Sequence, residues 1–145
     1  MSKTSITAAA TSTKATLKFI GQINTPYLAI DTCPNNIQDN GPVCEIALYD
    51  DYKEGLLGLS DGQDILILYW LGDAPRNELV QTSRQQMVKG TFALRSPNRP
   101  NPIGAAVLPI ENIRNGVITV KGLDCLNHTQ LIDIKPAIKR EVSNQ

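Results

Sequence analysis

The 145-residue sequence is poor in several things at once: aromatic side chains make up 5%, there is one histidine, there are three cysteines, and the net charge is zero. Each scarcity removes a class of function. So few rings argue against a broad stacking platform for single-stranded nucleic acid. Cys33, Cys44 and Cys125 contain no CxxC pair and cannot complete a zinc set with the lone His128 at any standard spacing, so no metal is expected. The three thiols read as free and half-buried, with a Cys33–Cys44 disulfide as the alternative. No Ser, His and acid form a nucleophile elbow, and Cys125 and His128 lie too close in sequence to act as a catalytic pair. No window reaches the ~18 uninterrupted apolar residues of a membrane helix, and MSKTSITAAATSTK lacks the apolar core of a secretory signal. A soluble, cytoplasmic chain without a membrane partner is expected.

What is present suits one globular domain. The apolar fraction is 41%, enough to bury a core. The fourteen basic and fourteen acidic residues are unevenly spread. Residues 1 to 78 hold five Lys/Arg and ten Asp/Glu, a formal 5 − 10 = −5, and residues 79 to 145 hold nine and four, or 9 − 4 = +5. No acid occurs from Leu79 to Ile110, where Arg84, Lys89, Arg95 and Arg99 fall. Either these form a positive surface for an anionic partner, or acids from elsewhere in the chain fold back beside them.

Residues 1–16 lack apolar periodicity and read as an N-terminal tail, 17–138 as the domain, and 139–145 as a C-terminal tail. LKFIGQI, VCEIALY, DILILYW, TFALR, AAVLPIENI, VITVKGL and LIDIK are short, rich in β-branched and aromatic residues, and separated by Gly, Pro, Asn and Asp. Asn115-Gly116 supplies the positive φ angles of a tight turn, so the two runs around it pair antiparallel. DDYKEGLLGL reads as a short helical turn, and NELVQTSRQQM as a second. The expected fold is all-β, a closed or nearly closed barrel of about seven strands. The long connections 24–42 and 72–89 invite a functional reading.

The most unusual segment is Arg95-Ser96-Pro97-Asn98-Arg99-Pro100-Asn101-Pro102-Ile103-Gly104. Its three prolines fix φ and push the residues before them to extended geometry. The result is a stiff loop carrying two guanidinium groups, two carboxamides and a hydroxyl, either a preorganised polar site or a rigid strand connection with solvated arginines.

GTFALRSPNRPNPIG, together with FIGQINTPY, DYKEGLLGLSDGQDILILYW and GLDCLNHTQLIDIKP in that order, resembles the TsaA-like, or TrmO, family of S-adenosylmethionine-dependent tRNA methyltransferases over roughly residues 17 to 136. The resemblance implies an all-β barrel, a homodimer, S-adenosylmethionine as cofactor, and methylation of N6 of threonylcarbamoyl-adenosine beside the tRNA anticodon. It places cofactor contacts on Pro34, Asn35, Asn36, Gly72, Asp73, Arg95, Ala105, Leu126, Asn127, His128 and Thr129. The sequence departs from the family where Pro34-Asn35-Asn36 replaces Pro-Arg-Gln, Gly72 replaces His, Asn127-His128-Thr129-Gln130 replaces Asp-Gly-Thr-Pro, and Ala137 replaces Tyr. These departures bear on the cofactor's seat and on the methyl acceptor. The alternative is an S-adenosylmethionine-binding module that regulates, or that methylates a small molecule.

Methyl transfer to an amine needs a group to accept its N–H, and Asp124 and His128 are the candidates, each with a plain loop role as the other reading. Asp133 is expected to be structural. Arg95 is assigned to the cofactor through the resemblance, and Arg99, with Asn98 and Asn101, to the substrate or a subunit interface. Tyr69 and Trp70 close an apolar strand and read first as core or pocket wall.

Overall fold

The computed structural model describes residues 14–138 and 140. Most of the tail at 1–16 and of the segment 139–145 therefore lies outside the described residues. Nine strands are formed: β1 (Gly21–Asn24), β2 (Val43–Leu48), β3 (Asp64–Trp70), β4 (Val80–Thr82), β5 (Val88–Gly90), β6 (Ile103–Pro109), β7 (Asn112–Arg114), β8 (Val117–Lys121) and β9 (Thr129–Pro136). Seven of them make one antiparallel sheet in the order β6-β3-β9-β1-β2-β8-β7, and β4 and β5 form a separate hairpin.

Alternation explains the main strands. In β3 the inward set is Ile65, Ile67 and Tyr69, in β2 it is Cys44, Ile46 and Leu48, and Ile23, Ile118, Val120 and Leu131 complete the layer. Each such side chain removed from water contributes about 1.5–3 kcal/mol. A bulge in the β3–β9 ladder lets Leu131 sit opposite Tyr69 in the core while Asp133, opposite Leu68, lies on the other face. The open register of Asp133 is thus resolved, and its carboxylate meets Lys135 at 3.4 Å.

Four expectations change. The barrel does not close: β6 and β7 are the two edges of the sheet, and no strand ladder joins β6 to β7 or β8 among the described residues. AAVLPIENI is split into β6 and β7, because Pro109 has no N–H to offer and the chain turns at Ile110. TFALR is not a strand. Thr91–Ala93 is a 3-10 turn with Phe92 and Ala93 exposed, so there is no core face for alternating side chains to fill. NELVQTSRQQM is not helical either, since β-branched Val80, Thr82 and Val88 favour the β4–β5 hairpin, whose loop turns at Gln86 with φ 62°. The expected helical turn at DDYKEGLLGL is a 3-10 helix over Asp50–Leu56. Asn115 and Gly116 both have positive φ, 51° and 79°, and join β7 to β8 as the sequence predicts.

Candidate functional site

The Pro-rich loop leaves the Thr91–Ala93 turn and enters β6, and its shape is set by side chains that bind its carbonyls. Arg99 is half-buried and its Nη1 donates to Leu94 O at 3.0 Å and Ser96 O at 2.8 Å. Gln81 of β4 donates to Asn98 O at 2.7 Å. Arg76 donates to Pro100 O at 2.7 Å and Asn101 Oδ1 at 3.2 Å, and its guanidinium lies 5.3 Å from the Trp70 ring centroid. Arg99, Asn98 and Asn101, read from the sequence as facing substrate or an interface, thus spend polar groups on holding the loop.

Arg95 behaves differently. It is exposed, and its Nη2 donates to Ala105 O at 3.1 Å, a carbonyl on the outer strand β6. It borders a cavity of about 430 Å³ together with Asn35, Asn36, Gln81 and Arg84, a size in the range of small-ligand sites, ~300–1,000 Å³. The lining contains two guanidinium groups, several carboxamides and no acid. The three ion pairs of the described residues, Lys53–Asp50, Lys121–Glu111 and Lys135–Asp133, leave Arg84, Lys89, Arg95 and Arg99 without an acidic partner. The fold-back alternative is thereby set aside in favour of a positive, amide-rich cleft.

The loop bearing Asn35 and Asn36 is tied to the end of β8. Gln38 N–H donates to Gly122 O at 2.9 Å, and Cys33 Sγ donates to Asp124 O at 2.9 Å. Asp124 Oδ1 in turn accepts the Tyr69 hydroxyl at 2.6 Å. Tyr69 is buried, and its ring lies against Gly104, the last residue of the motif, where a Cβ would collide with it. Burial first, and the Asp124 charge second, push the Tyr69 phenol well above its ordinary range. Burial also raises Cys33, with Asp124 adding to it, and takes Cys125 up to about 12. All three cysteines are free thiols, half-buried at Cys33 and buried at Cys44 and Cys125.

The remaining expected contacts are placed less centrally. Pro34 is half-buried between Cys33 and the cavity-lining asparagines. Gly72 and Asp73 are exposed just beyond β3, in the turn closed by Ala74 N–H to Leu71 O, and do not line the cavity. Leu126, Asn127, His128 and Thr129 connect to β9 at the same end of the sheet. Asn127 Oδ1 accepts Thr25 N–H at 2.9 Å, and Thr129 Oγ1 donates to Leu126 O at 2.6 Å, so both shape this turn. His128 is exposed with φ 69°, and its N–H donates to Ile23 O. A second cavity of about 500 Å³, bordered by Asp133 and mostly aliphatic side chains, contains no residue of the Arg95–Gly104 loop. No group of three or more His, Cys, Asp or Glu is placed to hold a metal among the described residues, and none of their helices is long and apolar enough to cross a membrane.

Sequence reading did not find Arg76, Gln81 or Arg84 as loop and cavity residues, nor the Tyr69–Asp124 bond. Only the missing acids between 79 and 110 hinted at Arg84.

Known proteins resemble this chain in sequence and in fold. Residues 22–141 match the model of the tRNA-methyltransferase O N-terminal domain. The chain is 37% identical over 123 residues, covering 84% of itself and 70% of the relative, to the probable S-adenosyl-L-methionine-binding protein VirR of Rhizobium radiobacter. It is 32% identical over 102 residues to the human tRNA (adenine(37)-N6)-methyltransferase, covering 68% of itself and 23% of that protein. The crystal structure of TrmO from Pseudomonas aeruginosa superposes with a TM-score of 0.72 at 25% identity, over 90% of this chain and 59% of that one. The chain therefore spans about three fifths of that solved protein.

Proposed function

The chain belongs to the tRNA-methyltransferase O N-terminal domain family, and on that premise we propose that its methyl acceptor is N6 of threonylcarbamoyl-adenosine next to the tRNA anticodon. It is an S-adenosylmethionine-dependent methyltransferase. The observation that carries the reading is the acid-free cavity that unites Asn35, Asn36 and Arg95 with a second guanidinium, Arg84.

The donor set fits the cofactor. A guanidinium pairs with an α-carboxylate, and carboxamides suit the edges of adenine and the ribose hydroxyls. Arg95 would take the carboxylate, Asn35 and Asn36 the polar edges, and the Ala105 strand the flank. When bound, S-adenosylmethionine supplies an electrophilic methyl group on a sulfonium sulfur. The chain's own part is to orient and to accept a proton: the stiff loop holds Arg95 without ordering a flexible segment, and Asp124, whose main-chain carbonyl is bonded by Cys33 next to the loop that carries Asn35 and Asn36, is the carboxylate assigned to accept the amine N–H. Arg84 and Lys89 supply positive charge for RNA phosphate. A tRNA substrate would place the reaction in the cytoplasm.

The β4–β5 hairpin and the turn after it expose Leu79, Val80, Met87, Val88 and Phe92 on the same segment that walls the cavity. This apolar strip supports a homodimer. A second reading, cofactor binding without tRNA methylation, is favoured by the departures at Asn35, Gly72, Asn127, His128 and Ala137.

Transfer of labelled methyl from S-adenosylmethionine to purified tRNA lacking the methylated nucleoside tests the proposal. Incorporation into tRNA is expected. A protein that binds the cofactor but labels no tRNA supports the second reading.

A further inference from the structure

A set of contacts and chain neighbours connects Arg95 with Asn35 and Asn36, which all line the cavity, through residues that do not line it. From Arg95 it passes to Ala105 O, to the neighbouring Gly104 packed on the Tyr69 ring, through the Tyr69 hydroxyl to Asp124, and through Cys33 Sγ on Asp124 O back to Pro34, Asn35 and Asn36. Tyr69 is the one link in this circuit that combines a fully packed ring with a polar tip. Its ring is fixed by the core and by the missing Cβ at Gly104, so its hydroxyl presents a donor to Asp124 from a fixed point. A carboxylate with one oxygen held this way has its other oxygen aimed in a restricted direction, without the rotamer freedom of an ordinary loop aspartate.

We propose that Tyr69 is a positioning residue for methyl transfer: it holds Asp124 so that the carboxylate accepts the proton which the acceptor nitrogen loses as it gains the methyl group. This rests on the reading of Asp124 given above. The balance is simple. The nitrogen lone pair forms the new N–C bond, the bonding pair to the methyl group stays on sulfur, and the N–H proton passes to Asp124 and then to water. Cys33 and Cys125 do not compete for it, because burial disfavours their thiolates.

The test compares Tyr69→Phe, Asp124→Asn and the double variant with the wild type. Three quantities are read: kcat and KM for tRNA, the S-adenosylmethionine Kd by calorimetry, and thermal unfolding of the protein alone. Tyr69→Phe should lower kcat about 10-fold with KM and cofactor Kd changed less than about twofold, and Asp124→Asn should lower kcat about 100-fold or more. The double variant should be no slower than Asp124→Asn, and its unfolding temperature should show the two positions to be coupled rather than additive. Asp124→Glu, which keeps the charge but displaces the carboxylate by a methylene, should lose kcat like Tyr69→Phe, and it decides the matter if Tyr69→Phe does not fold. An unchanged kcat in Tyr69→Phe or in Asp124→Glu, or strictly additive losses, overturns the proposal. A wild type that binds cofactor and labels no tRNA overturns instead the reading of the acceptor, and the inference with it.

Discussion

Replacing Arg95 with alanine separates a ligand-holding guanidinium from a loop-holding one. Arg95 is exposed and makes one hydrogen bond, to Ala105 O at 3.1 Å, so the fold should lose little with it. Arg95 borders the cavity, where a charge-assisted pair with a carboxylate is worth about 1.5–3 kcal/mol, or roughly 10- to 100-fold in Kd. Arg99, four residues on, is the counterpart: it is half-buried and bonded to two carbonyls at 3.0 and 2.8 Å. Arg99→Ala should therefore cost about 1–3 kcal/mol of stability and lower Tm by roughly 3–9 °C. Arg114→Ala, exposed beside the Asn115-Gly116 turn, serves as the inert control. Calorimetric titration with S-adenosylmethionine and thermal melts without ligand read both effects. Arg95→Ala binding as tightly as wild type, or melting lower than Arg99→Ala, would refute the division of labour between the two arginines.

Alkaline stability offers an independent check on the buried acids. Both Cys125, at about 12 against an ordinary 9.0, and Tyr69 keep their protons in the native state after the unfolded chain has released them. The native state then binds more protons, so stability is fully present below about pH 9 and falls above it, by up to ~1.4 kcal/mol per pH unit for each group. Urea unfolding from about pH 8 to 11 should show this, with a shallower fall above about pH 10 in Tyr69→Phe; a flat profile contradicts the burial of both groups. Gly104→Ala should cost about 1–3 kcal/mol through its clash with the Tyr69 ring and should lose methyl transfer with it. Wild-type stability and activity in that variant would show that Tyr69 is free to move.

The parts of the fold legible in the sequence are those governed by neighbours along the chain. Alternation in DILILYW and VCEIAL marks β3 and β2, and the Asn115-Gly116 pair marks its own turn, because the side chains that decide these features lie within a few residues. The prolines of the loop declare its stiffness for the same reason. The β4–β5 hairpin was hidden because its outward Val80 and Val88 face no core and so give no alternation against polar partners. The site was half legible. Arg95, Asn35 and Asn36 do meet at one cavity, but Gly72, Asp73 and the 126–129 turn do not line it. Tyr69 and Asp124 are 55 residues apart and meet only because β3 and the end of β8 converge on the core, which no local pattern reports. Arg76 sits in an irregular connection, and only the folded chain brings it onto Trp70 and the Pro100 carbonyl.

Whether the modified adenosine beside the tRNA anticodon is the methyl acceptor, as we propose, is decided by mass spectrometry of tRNA nucleosides from cells with and without the gene. Methylated threonylcarbamoyl-adenosine should disappear from the deletion strain, its unmethylated precursor should accumulate in equal measure, and the wild-type gene should restore it while the Asp124→Asn variant does not. An unchanged nucleoside profile in the deletion strain would contradict the proposal.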